Sequence, residues 1–179
     1  DQLSASAGQL TFKLDNDALR SVPAEAFEKD VDPATVWCVF VTPTGAGAQT
    51  FKEAKPATKT PTGEYMIKAS FEGAAQMFVI ANVQDALKTK LEGLSTASTL
   101  ADVQRLVVEN ALGDNTTAPD KFIMTSELMN VMLPSVGGAP YKIADVIKLK
   151  RLAARFDVIS EVPGLTLTTI SVANRVTTS

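Results

Sequence analysis

The sequence predicts a mainly β chain folded as a two-sheet antiparallel β-sandwich with a short two-helix insertion. Three observations predict it. About seven or eight short segments alternate apolar with polar residues or run β-branched and aromatic, with turn signals between them. Two capped stretches with helically spaced apolar stripes stand side by side in mid-chain. No strand-helix-strand rhythm recurs, which argues against a doubly wound parallel sheet, and no repeat at a solenoid period is present.

Residues 1–8 are small and polar and are expected to form a mobile tail ahead of a single domain spanning 9–179. Residues 9–15 then alternate: Leu10, Phe12 and Leu14 fall on one face and Thr11 and Lys13 on the other, as in a half-buried strand. Asn16-Asp17 ends it. Residues 18–33 carry Arg20, Glu25, Glu28, Lys29, Asp30 and Asp32, and read as a solvated loop with at most a helical turn, open to a protease. Residues 35–42 are nearly all apolar and β-branched or aromatic, which predicts a central strand covered on both faces. Residues 43–47 are a turn. Residues 49–63 contain Pro56 and Pro61 and fit an edge strand or extended loop, because proline cannot donate to a ladder. Residues 65–71 and 76–81 are expected strands joined by a short hairpin-type loop over 72–75.

Asn82 is placed to cap the first helix, with Asp85 three residues on; Leu87, Leu91 and Leu94 follow helical spacing and Gly93 marks the end. Thr99 is placed to cap the second, with Asp102 completing a capping box, Leu100, Val103, Leu106, Val107 and Ala111 forming the stripe and Gly113 stopping it. A polar loop over 114–120 leads to a short strand over 122–125. Residues 128–140 hold Pro134 and Gly137-Gly138 and read as a loop or irregular edge. In 141–159, Ile147 and Leu149 alternate with Lys148 and Lys150, while Leu152, Ala154, Phe156 and Val158 resume in the other phase. A β-bulge at Lys150-Arg151 would return both halves to one face. A similar phase change near Thr168-Thr169 divides the last strand, which runs on to Ser179.

Composition narrows the function classes. Hydrophobic residues are 45% of the 179, enough for a core, while charged residues are 21% with a net charge of -3, which leaves no electrostatic footprint for nucleic acid or an anionic membrane. The chain has no histidine, which removes the commonest general base and neutral metal ligand. Its one cysteine, Cys38, excludes an internal disulfide and a zinc site of cysteines and histidines. No apolar stretch approaches the roughly 18 residues of a membrane span. The opening Asp-Gln-Leu-Ser-Ala-Ser is not a signal peptide and is consistent with a mature or trimmed start.

The candidate sites are few. Cys38 lies in the most apolar segment with no histidine to activate it, so a buried structural thiol is favoured over a nucleophile. Asp15, Asp17, Asp30 and Asp32 lack the Asp-x-Asp-x-Asp-Gly spacing of a calcium loop and read as solvated loop charges. Lys148, Lys150, Arg151 and Arg155 form a basic cluster that suits an anionic glycan or a partner, but a charged sheet face that discourages edge pairing is the simpler reading. Met66, Met77, Met124, Met129 and Met132 are dispersed as core filler. Ser-x-x-Lys and glycine-rich phosphate loops are absent, so nothing argues for an enzyme or a cofactor.

Four segments resemble the N-terminal domain of fimbrillins, the subunits of Bacteroidetes type V pili. Ile147, Leu149, Arg151, Ala154, Arg155 and Val158 are similar to that family's Val-x-Leu-x-Arg-x-x-Ala-Lys/Arg-x-x-Val strand. Phe78-Val79-Ile80-Ala81-Asn82 is like its Phe-Val-x-Ala-Asn strand, Phe122-Ile123-Met124-Thr125 is like a later strand, and 170–176 is like the strand leading toward a second domain. The resemblance implies a transthyretin-like Greek-key sandwich, export as a lipoprotein precursor, and a fimbrium on the outer membrane at the cell surface. It also implies assembly with neighbouring pilus subunits by strand exchange, after an arginine-specific protease removes the first strand. Arg20 matches the position of that cut and reads equally as an ordinary loop arginine; Leu10, Phe12 and Leu14 would be the side chains that leave the groove. The family's second domain and lipid-bearing cysteine do not occur in these 179 residues. The alternative is a surface-anchored adhesin or glycan-binding module of the same fold, with host or bacterial surface ligands and no polymerisation. A hydrolase is a distant third.

Overall fold

The computed structural model describes residues 8–15, 30–45, 47–111, 121–135 and 137–152. In chain order its strands are β1 (Gln9–Asp15), β2 (Trp37–Val41), β3 (Phe51–Pro56), β4 (Thr58–Lys59), β5 (Tyr65–Lys68), β6 (Gly73–Ala81), β7 (Met124–Ser126), β8 (Met129–Leu133) and β9 (Tyr141–Arg151). Two helices, α1 (Asp85–Glu92) and α2 (Leu100–Glu109), sit between β6 and β7. The strands pair along one path, β3-β2-β6-β7-β9-β1-β5-β4, with β8 attached to β6. Its two ends, β3 and β4, are separated in the chain by Ala57 alone, so the sheet curls until it is nearly closed.

β2 explains why the sheet has a core on each side. All five of its residues are buried. Successive strand side chains point to opposite faces. Cys38 and Phe40 therefore enter an inner core with Leu10, Phe12, Met77 and Leu149, while Trp37 and Val39 enter a second core with Leu87, Leu91, Val103 and Val107 of the helices. The central strand read from residues 35–42 is thus present, flanked by β3 and β6. Residues 49–63 supply β3 and β4, the two ends of the path, where Pro56 is tolerated.

The expected antiparallel sheet is corrected to a mixed one: β1 runs parallel to β9. Alternation fixes which side chains face a core but is the same for either strand direction. β1 and β9 come from distant parts of the chain, so no tight turn forces them antiparallel. The hairpin expected around 72–75 is also absent. Gly73, Ala74 and Ala75 belong to β6, which pairs with β2, β7 and β8, while β5 pairs with β1 and β4. Residues 128–140 contain a regular strand, β8; Pro134 and the two glycines mark only where it stops.

The bulge expected at Lys150-Arg151 does not occur. Leu149, Lys150 and Arg151 pair in unbroken register with Ser126, Thr125 and Met124. The apolar phase changes there because the face changes: Leu149 packs in the inner core and Leu152 against the helix-side core. The irregularity lies earlier, where β9 advances from Lys142 to Val146 while β1 advances from Thr11 to Lys13. The remainder of that expected strand, with Ala154, Phe156 and Val158, lies outside the described residues, as does the last strand.

Asn82 does not cap α1. The helix starts at Asp85 with Gln84 at its N-cap and no side-chain cap bond. Asn82 is instead buried with φ 63, a left-handed conformation that asparagine tolerates better than most residues. Its Nδ2 donates to the carbonyls of Asp30 and Phe122, both at 2.8 Å, and its Oδ1 accepts from the Asp32 N–H at 2.9 Å. One side chain thus ties the end of β6 to the segments entering β2 and β7. The Thr99 capping box of α2 forms as expected, with Asp102 N–H donating to Thr99 Oγ1 at 3.1 Å and Thr99 N–H donating to Asp102 Oδ2 at 2.9 Å.

Candidate functional site

β1 is an interior strand of the path. Gln9, Leu10, Thr11 and Phe12 pair antiparallel with Lys68, Ile67, Met66 and Tyr65 of β5. Leu10, Thr11, Lys13, Leu14 and Asp15 pair parallel with Tyr141, Lys142, Val146, Ile147 and Lys148 of β9. Its inward face carries the apolar set that alternation predicts. Leu10 is 0% exposed, Phe12 is 1% exposed, and Leu14 packs against the same core half-buried. The Phe12 ring stacks on Tyr65, centroids 5.6 Å apart and planes 16° apart. Burying a side chain of this size is worth about 1.5–3 kcal/mol.

The strand begins at a fixed point. Gly8, counted with the tail in the sequence, donates its N–H to the Pro134 carbonyl at 2.9 Å and accepts from the Ala69 N–H at 3.0 Å. Its φ is +74°, and a Cβ there would lie 2.5 Å from the Phe71 carbonyl oxygen, so only glycine fits.

On the outer face, Glu64 lies between the two neighbours of β1. Its carboxylate is 2.9 Å from Lys142 Nζ on β9 and 4.0 Å from Lys13 Nζ on β1. The hydrogen bond from Lys142 holds the Glu64 carboxyl below the usual carboxylate range, against a smaller opposing effect of desolvation.

Arg20, the candidate cut position, lies outside the described residues. The other candidates stand apart from β1 or serve packing. Cys38 is fully buried in the inner core, and burial pushes its thiol far above the ordinary range. In the basic cluster, Lys150 pairs with Glu127 at 2.6 Å, Lys148 is exposed beside Asp15, and Arg155 is outside the described residues. Of the acidic set, Asp32 accepts from Ala34 N–H at the head of the Pro33–Thr35 turn, and Asp17 is outside the described residues. No group of three or more acidic, cysteine or histidine side chains close enough for a metal occurs among the described residues. Trp37 and Tyr65 are 5% and 4% exposed, and Tyr141 is half-buried against the inner core.

The sequence did not point to Gly8, Glu64 or a fork between β8 and β9. Those two strands follow one another in the chain, yet β8 pairs only with β6 and the first half of β9 only with β1 among the described residues. A groove of about 660 Å³ opens between them, lined by Met129, Asn130, Tyr141, Ile143 and Ala144 among others. No signal for splayed strands exists in alternation, which constrains faces and not separations.

β1 is thus held in two ways. Backbone pairing holds it on both sides, and apolar side chains seat it in the inner core at alternate positions.

No family profile matches the sequence. None of the curated proteins matches it either. Two crystal structures of Parabacteroides distasonis proteins, each named provisionally as a cell adhesion protein, are distantly similar to this chain. One has a TM-score of 0.47 and 20% identity over 80% of this chain and 39% of its own. The other has a TM-score of 0.47 and 16% identity over 82% of this chain and 46% of its own. The chain thus spans less than half the length of either, and at this similarity their names do not transfer to it.

Proposed function

We propose that the chain is a non-enzymatic structural subunit of a surface fimbria, exported as a lipoprotein precursor and assembled by donor-strand exchange once β1 is cut away after Arg20. The observation that supports this most is the seating of β1: an N-terminal strand paired on both edges, with Leu10 and Phe12 fully buried in the inner core. Removing it would vacate four register positions on β5 and five on β9 and open the inner core to water. An empty slot of that kind is unfavourable, and a strand from a neighbouring subunit would relieve it. This reading takes the curled sheet as a sandwich of transthyretin type. The alternative, a glycan-binding adhesin, needs an exposed aromatic platform; the burial of Trp37 and Tyr65 counts against it.

Digestion of the folded chain with an arginine-specific protease, followed by mass analysis and gel filtration, tests the proposal. The expected result is a cut after Arg20, with residues 1–20 leaving as a partner strand is supplied. Full resistance under native conditions contradicts it.

A further inference from the structure

β1 is not held evenly along its length. At its start, Gly8 is bonded to Ala69 on one side and Pro134 on the other. From Gln9 to Phe12 the strand has β5 beside it. Past Phe12, β5 has no residue to offer, because the chain turns away through Thr60–Glu64, closed by Thr60 N–H to the Glu64 carbonyl at 2.7 Å and Gly63 N–H to the Thr60 carbonyl at 3.0 Å. Lys13 and Leu14 consequently pair with β9 alone among the described residues, and Lys13 is exposed while Leu14 is half-buried. Between these regions lies the Glu64–Lys142 pair. Glu64 precedes the residue opposite Phe12 and Lys142 is opposite Thr11, so their contact at 2.9 Å joins the turn that enters β5 to β9 beside β1.

We infer that β1 opens in one direction, peeling from Lys13-Leu14 toward Gly8, with the Glu64–Lys142 pair as a strap that must part before the peel passes Thr11. Strand exchange then starts at the Val146–Ile147 edge of β9, where an incoming strand finds its first foothold, and finishes at Gly8. The inference about exchange rests on the strand-exchange reading; the direction of opening does not, because it follows from the pairing of the intact chain. A helical or collapsed segment would not serve at the foothold, since a strand edge is matched only by extended backbone.

Hydrogen exchange on the intact full chain tests the direction without any cleavage. Amides of Lys13 and Leu14 should exchange at least roughly tenfold faster than those of Leu10 to Phe12. Glu64→Gln and Lys142→Met should each speed exchange at Thr11 and Phe12 by roughly 1.5- to 5-fold, with the double variant no faster than Glu64→Gln alone, because Glu64 also lies 4.0 Å from Lys13. Uniform exchange along β1, earlier opening at the Gly8 end, or fully additive effects of the two variants would overturn the inference. If the gradient is present but the chain cut after Arg20 never trades β1 for a synthetic copy of residues 9–15, the strand-exchange reading fails and the direction of opening stands.

Discussion

Phe12 stacks on Tyr65 at the last position where β1 and β5 are paired, with ring centroids 5.6 Å apart and planes 16° apart. One step further, among the described residues, the strand pairs only with β9. The contact therefore marks the boundary between the firmly and loosely held parts of the segment on which the functional reading depends.

Truncating that contact should be costly. Phe12→Ala is expected to lower stability by about 3–5 kcal/mol, because a fully buried ring is lost and a cavity remains. Thr11→Ala, on the outward face, should change stability by less than about 1 kcal/mol. Urea denaturation of both variants checks the contrast. Equal losses would place β1 off the core.

Asn82 should resist replacement in a graded way. Asn82→Ala removes three hydrogen bonds and keeps a side chain in the left-handed region, for a loss of roughly 2–4 kcal/mol. Asn82→Gly removes the same bonds but relieves the backbone, so it should be the milder by about 1 kcal/mol. Denaturation midpoints decide it, and an Ala variant as stable as the Gly variant would contradict the backbone argument.

Cys38 should be inert while the chain is folded. Desolvation by burial disfavours its thiolate, the reactive form. Labelling with iodoacetamide at pH 8 should be negligible in buffer and complete in denaturant. Full labelling within minutes in buffer would show that the inner core opens readily.

The Glu53 carboxylate accepts from Ser70 N–H at 2.8 Å and Ser70 Oγ at 2.6 Å, and lies 2.7 Å from Lys55 Nζ. Burial pushes its pKa up, but these partners outweigh that and hold it below the usual range. A carboxyl depressed in the folded state stabilises fully above its unfolded pKa, about 4.3, and loses that contribution as pH falls through the folded value. Glu53→Gln should therefore flatten the fall in stability between about pH 5 and pH 3, by about 1 kcal/mol for a half-buried carboxylate whose lysine partner is exposed. An unchanged pH profile would show that the pairing contributes nothing.

Local chemistry made several of these features legible. Alternation placed Leu10, Phe12 and Leu14 on one face, β-branched and aromatic density marked β2 as doubly covered, and Thr99 with Asp102 announced the start of α2. Features set by distant partners were not legible. The parallel pairing of β1 with β9 depends on two segments that alternation treats identically in either direction. The shift from Leu149 to Leu152 looked like a bulge because the charges alternating through β9 hide the second core that its end meets. Asn82 looked like a cap because its three partners come from residues 40 to 52 positions away. Gly8 sits in a run of small polar residues, and only its neighbours Phe71, Ala69 and Pro134 reveal why it is glycine.

The most direct test of the account is native mass spectrometry of the chain cut after Arg20 and incubated with an isotope-labelled peptide copying residues 9–15. The account predicts a folded product carrying one labelled strand in place of its own. A product that keeps its original strand indefinitely, or that binds the peptide while retaining β1, would contradict it.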